Sequence, residues 1–316
     1  MNEERINKSS NSKEIDPSDF LKILLDSKYL ILLVTLFFSI ASVIYAINQP
    51  NYYTSAALLE VSSNDSQRAS SSLSRYSGIA AMAGINLPSE SKDKGNTSIA
   101  IIQSRDFFNH LITANPQFLP QIVSAKSYDR LTGKTLYDQD QYDSILSKWI
   151  RSSYEYENYP SPSYLEAHAI FIKDILRILK DKETGYIHIS IEHLSPLFAN
   201  TLLNEIVLQL NKISRDKDMI ESQKALDFLK AQAAKTRLSE ISSSISNLIE
   251  TQLQTQMMAQ IKEDYILRYI DKPFVPEKKS KPSRALICIL GFLTGFFVSI
   301  FMAFLLYSLK KIKHKN

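Results

Sequence analysis

The residues able to do chemistry are few and poorly spaced for it. Leu131-Thr132-Gly133-Lys134-Thr135 ends like a phosphate-binding loop, but the full pattern needs a second glycine where Tyr128 stands. Without it the backbone N–H groups cannot curl around a phosphate, so the segment reads as a turn. His110, His168, His188, His193 and His314 include no H-E-x-x-H pair. His188 and His193 flank a strand and read as ordinary surface or interface residues rather than metal ligands. The single cysteine, Cys288, sits in an apolar run, which leaves no thiol pair for a disulfide or a structural zinc. No catalytic, cofactor-binding or metal site is expected, and no cofactor. A net charge of +4, from 37 basic and 33 acidic residues, is too balanced to argue for nucleic acid.

What the spacing does offer is packing. Ala285–Leu306 (ALICILGFLTGFFVSIFMAFLL) is uncharged and free of proline. As a helix it reaches about 33 Å, enough to cross a hydrocarbon core of about 30 Å. Within it Gly291 and Gly295 form G-x-x-x-G, two of only seven glycines in the chain, and such a pair lets two helix backbones approach closely. A second apolar run, Tyr29–Ile47, lies near the other terminus. It begins late for a cleaved signal and lacks a small-residue cleavage site, so it reads as a second span. Arg5, Lys8, Lys13, Lys22 and Lys28 precede the first span, while the first basic residue after it is Arg68. The positive-inside bias then places both termini, 1–28 and 310–316, in the cytoplasm, with the spans at 29–47 and 285–309. Residues 48–284 form one large domain on the far side, large enough to bury a core without disulfides.

Along that domain, Tyr52–Ser62 reads as a strand and Ser98–Ala114 as an amphipathic helix. The apolar segment Gly78–Ile85 reads either as a mobile, partner-contacting loop or as a short buried helix. The stretch 117–162 is polar and tyrosine-rich, with a helix expected around Gln141–Arg151 carrying the only tryptophan, Trp149. Tyr164–Leu179 keeps helical spacing, Asp181–Gly185 reads as a turn, and Tyr186–Glu192 alternates like a strand. Ser195 and Pro196 make a helix start, the serine as N-cap and the proline at the first position.

From there to Asp271 neither glycine nor proline occurs. A long helix over about 197–271, some 110 Å if unbroken, is expected, or two stacked helices with a break near Ser214–Asp218. Its seam is spaced by threes and fours: Leu203, Ile206, Leu210 and Ile213, then Leu238, Ile241, Ile245 and Leu248. That spacing suits packing on another helix, in the same chain or a neighbouring copy. Pro273, Pro276 and Pro282 then hold a strip at 273–282 extended and keep the long helix from fusing with the second span.

These features together resemble the polysaccharide co-polymerase family, the bacterial chain-length determinants for O-antigen and related polysaccharides of lipopolysaccharide. The matching residues are the amphipathic lead Asp16–Lys28, the strand after Tyr52-Tyr53, the strand-to-helix element His188–Val207, and the proline strip running into G-x-x-x-G at Pro273–Gly295. One departure is Ser280-Lys281-Pro282-Ser283-Arg284, where family members commonly show Ser-Pro-Lys.

The resemblance implies an α+β membrane protein of the bacterial inner membrane. Two transmembrane helices would flank a periplasmic α/β base with a long protruding, partly coiled-coil-like helix, and the copies would assemble into a ring-like homo-oligomer. It implies no catalysis. The expected role is to set the length of a surface polysaccharide through a separate membrane polymerase, with the growing glycan as a further contact and the lipid bilayer as anchor. An alternative is a polysaccharide-export or kinase-coupled adaptor of the same superfamily.

Overall fold

The computed structural model describes residues 24–62, 91–151, 161–235 and 239–313. The chain divides into two compact units, Met1–Gln49 with Pro282–Asn316, and Pro50–Lys281. In order, the elements are α1 (Lys28–Asn48), β1 (Tyr53–Val61), α2 (Ser91–Ile102), α3 (Arg105–Ala114), α4 (Phe118–Ser124), β2 (Ala125–Asp129) and β3 (Lys134–Tyr137). There follow β4 (Tyr142–Asp143), β5 (Lys148–Trp149), α5 (Tyr164–Ile170) with a π turn at Phe171–Ile175, β6 (Leu176–Lys180) and β7 (Ile187–His193). The last four are α6 (Pro196–Lys235), α7 (Ser239–Ile261), β8 (Leu267–Asp271) and α8 (Arg284–Lys313).

The first unit is the antiparallel pair α1/α8. Both helices are long and apolar enough to cross a membrane, with mean hydropathy 2.6 and 2.5, and only 11% of each apolar stretch is buried. Side chains such as Phe37, Phe297 and Phe301 point outward and stay exposed. The core helix of a soluble protein would bury such surface.

The second unit is built on a four-stranded antiparallel sheet in the order β6-β7-β1-β8. Ile187, Ile189 and Ile191 of β7 and Ala57 and Leu59 of β1 alternate onto one face, and α6 lies across it with Leu203, Ile206 and Leu210 buried. Phe108 of α3 and Phe171 close the same core with ring centroids 5.1 Å apart. Each such large side chain removed from water contributes about 1.5–3 kcal/mol, so this core is the main source of the unit's stability.

Several expectations from the sequence fail, each for a local reason. The helix expected over Ser98–Ala114 is two helices, because Ser104 adopts extended backbone and its hydroxyl accepts from Phe107 N–H, starting α3 afresh. The helical spacing of Tyr164–Leu179 gives way after Ile175, where Leu176 and Ile178 pair with Ile191 and Ile189. A strand partner overrides the local period there. The helix expected around Gln141–Arg151 is the β4/β5 hairpin: the Asp143 carboxylate accepts from Ile145 and Leu146 N–H, and Ser147 turns the chain at φ 50°. An Asx turn outcompetes the helix.

The long helix over 197–271 is also corrected. The 214–218 region is continuous helix, α6 ends at Lys235, α7 folds back along it, and 267–271 is strand β8 beside β1. The forty residues of α6 reach about 60 Å rather than 110 Å. Gly78–Ile85 and the lead before residue 24 lie outside the described residues.

Candidate functional site at the root of the large unit

Among the described residues, chemistry-bearing side chains do not converge on a metal-binding cluster: no group of three histidines, cysteines or carboxylates could hold a metal ion. The phosphate-loop-like segment is the tip of the β2/β3 hairpin, where Asp129 accepts from Leu131 N–H and the Thr132 hydroxyl. Those hydrogen bonds hold the Asp129 carboxyl below its ordinary range. No helix follows to cradle an anion. His188 is exposed, but His193 is buried, contrary to the sequence expectation, because it falls on the inward phase of β7.

His193 joins three elements. Its Nδ1 accepts from Ser195 N–H at 3.0 Å, so its Nε2 carries the proton and donates to the Gln121 carbonyl at 2.9 Å. Burial pushes its pKa down to about 4, since charging it would strip an imidazolium of water. Ser195 in turn caps α6, its hydroxyl accepting from Phe198 N–H at 3.3 Å, with Pro196 as the first helical residue. The helix start expected from Ser195-Pro196 is therefore observed, with His193 an extra cap that the sequence did not disclose.

The polar contacts that do converge lie where the chain enters and leaves the large unit. Tyr52 N–H donates to the Lys281 carbonyl at 2.9 Å, and Ser280 N–H donates to the Tyr52 carbonyl at 2.8 Å. Side chains reinforce the bridge: Thr54 donates to Ser280, Ser55 donates to the Phe274 carbonyl, and the Lys281 ammonium meets Glu192 at 2.8 Å. Arg130 donates to the Glu277 carbonyl and sits 6.0 Å from the Tyr53 ring. Pro273, Pro276 and Pro282 set this strip. Locked φ and a missing N–H keep it out of helix and out of a full ladder, so it is fastened by side chains instead. The sequence marked the prolines, but it marked Tyr52, Ser280 and Glu192 only as strand or motif residues and not as members of this bridge, because their partners lie more than 85 residues away.

Gly291 and Gly295 face α1. A Cβ on Gly295 would stand 2.6 Å from Phe38 Cβ, and one on Gly291 would collide with Ser42. Their close approach is thus to the other apolar helix of the same chain. Thr35 and Ser299 meet across the pair at 3.4 Å, and Arg284 Nε donates to the Ala46 carbonyl.

The long-helix seam splits. Ile206 and Leu210 are buried over the sheet, with Ile213 packed against the same core, so the early seam serves the core of the base. Ile245 and Leu248 are buried against Ala225 and Leu229 of α6. Leu238 lies outside the described residues, and Ile241 is helical. Asn211, unmarked by any spacing, docks β8 to α6: its Oδ1 accepts from Ile266 and Leu267 N–H and its Nδ2 donates to the Leu267 carbonyl. Beside it, burial and the Asp218 carboxylate push the Tyr265 phenol well up.

Residues 13–114, from before α1 through α3, match the family model Wzz, described as chain length determinant protein. The matched family is that of the chain length determinants. Among solved structures, a full-length bacterial polysaccharide co-polymerase is 12% identical, with a TM-score of 0.41, covering 94% of this chain and 99% of that one. A fragment of WzzB, a polysaccharide co-polymerase from Salmonella Typhimurium, is 14% identical, with a TM-score of 0.31, covering 73% and 100%. No curated protein matches the chain in sequence.

Proposed function

We propose that the protein regulates the length of a bacterial surface polysaccharide, O-antigen or a related polymer, without catalysing a reaction itself. The observation that carries this reading is the Wzz match over residues 13–114, which takes in the first apolar helix and the opening strand of the base. In this reading α1 and α8 lie in the inner membrane with both termini cytoplasmic, as the basic residues before Tyr29 favour. The large unit then faces the periplasm as a scaffold in a homo-oligomer and acts on a separate polymerase. The exposed apolar side chains along the helical pair, among them Ile220, Phe228 and Met257, support a surface that packs on neighbouring copies.

The test is the size ladder of surface polysaccharide from cells with the gene deleted and restored. A full-length mode should collapse to a decaying ladder on deletion and return on restoration. Loss of all surface polymer, with material accumulating inside, would instead mark an export adaptor. Light scattering of the protein in mild detergent should give an oligomer, and a monomer would sink the scaffold.

A further inference from the structure

We infer that the α1/α8 pair holds one anionic phospholipid, with the phosphate at Lys28 and a single acyl chain laid along α1. This rests on the two helices lying in a bilayer and not on chain-length control.

A groove of about 570 Å³ runs along the chain from Leu24 to Ser39 and is walled on the other side by Phe292 and Phe296. That volume falls in the range of clefts that hold small ligands, roughly 300–1,000 Å³. The two phenylalanine rings lie parallel, within 5°, with centroids 6.5 Å apart, and give this side of the groove an aromatic wall. The hydroxyls lining it make no demand on an occupant, because Thr35 donates to the Ile31 carbonyl at 2.7 Å and Ser39 to the Thr35 carbonyl at 2.8 Å. The wall therefore accepts hydrocarbon.

Among the described residues, Lys28 is the one charged residue on the lining. Because the helices are antiparallel, it stands at the end of the pair where α8 finishes, in the sequence Lys310-Lys311-Ile312-Lys313. Among the described residues of α1 and its approach, Asp26 is the one carboxylate at this end, beside Lys28 and the lysines that close α8, which complements an anionic headgroup.

The dimensions select the occupant. Eleven residues of helix separate Lys28 from Ser39, about 16 Å, which is close to half of a hydrocarbon core of about 30 Å. A phosphate at Lys28 thus leaves room for one acyl chain reaching the midplane, as in a phospholipid of a single leaflet.

The test is native mass spectrometry of the full chain released from bilayers of equal phosphatidylglycerol and phosphatidylethanolamine. A lysine near an anionic surface contributes about 1 kcal/mol, so phosphatidylglycerol should be retained about fivefold over phosphatidylethanolamine. Lys28→Gln should remove that preference. Ser39→Trp, which fills the inner end of the groove, should lower retention of both lipids, whereas Phe301→Leu on the exposed side should change neither. Equal retention of the two lipids by the unaltered chain, or an undiminished preference in Lys28→Gln, would overturn the site. Release of the protein from membranes by alkaline carbonate would overturn both the groove and the membrane placement.

Discussion

Between α1 and α8 the contact is made by Gly291, Gly295 and Ser299 against Thr35, Phe38 and Ser42, whereas between α6 and α7 it is made by Ala225 and Leu229 against Ile245 and Leu248. Both pairs are antiparallel, yet their residues are nearly exchanged. In water, association follows from removing Leu and Ile from solvent. In lipid no such gain exists, and close van der Waals approach over small residues takes its place. The α6/α7 pair is nonetheless lightly built, on a small cluster of Ala225, Leu229, Ile245 and Leu248 and a buried Ser222 hydroxyl donating to Gln252. The sheet end of α6, by comparison, is seated in a core of Ile, Leu and Phe. The α6/α7 pair therefore depends on the base from which α6 extends.

The largest break in this contrast is expected from Gly291→Leu with Gly295→Leu. The added side chains cannot fit against Ser42 and Phe38, so α1 and α8 should separate. Cysteine pairs placed across the helices, in a chain lacking Cys288, should stop cross-linking while both helices still insert, and unchanged cross-linking would show that the close approach is dispensable. In the aqueous pair, Leu248→Ala should cost about 3–4 kcal/mol, and hydrogen exchange should rise in α6 and α7 beyond residue 220 while the sheet stays protected. Uniform loss of protection would mean that the pair and the base unfold as one.

A pH scan separates the base from the pair. Since the folded His193 titrates at about 4 and the unfolded one near 6.5, the unfolded chain takes up a proton that the folded chain refuses. Stability is therefore full above about pH 7 and falls as pH drops through 6.5 towards 4, by about 2 kcal/mol at pH 5. Thermal midpoints should show this slope in the unaltered protein and not in His193→Asn, and identical slopes would remove His193 as the cause. The smallest effect is expected from Thr35→Val, about 0.5 kcal/mol, the usual worth of a polar contact between membrane helices. A much larger loss in a helix-association assay would mean that the Thr35–Ser299 contact, and not the glycines, holds the pair.

Strong local signals in the sequence were enough for the two apolar helices, for β1 and β7, and for the helix start at Ser195-Pro196. Strand β6 was not legible, because Ile172, Ile175, Leu176 and Leu179 satisfy a helical period and only the partner strand at Ile187–Ile191 decides otherwise. The fold-back of α6 onto α7 carried no glycine or proline to announce it. The root was half visible: proline declares its own backbone, whereas Tyr52 gains its role only from Lys281, 229 positions away. The partner of the G-x-x-x-G face was hidden for a related reason, since a glycine records that something comes close but not what.

The bridge between Tyr52 and Lys281 has a consequence for assembly. Tyr52 follows α1 by four residues and Lys281 precedes α8 by three, so the folded large unit holds together the two chain ends that lead into the apolar helices. It acts as a short linker for their association. The closure cuts the tether between α1 and α8 from the length of the large unit to four residues on one side and three on the other. That raises the effective concentration of each helix near the other into about the millimolar range, so that a contact as weak as one over small residues persists. An α8 freed from this closure would have to find its partner on a tether as long as the whole intervening chain.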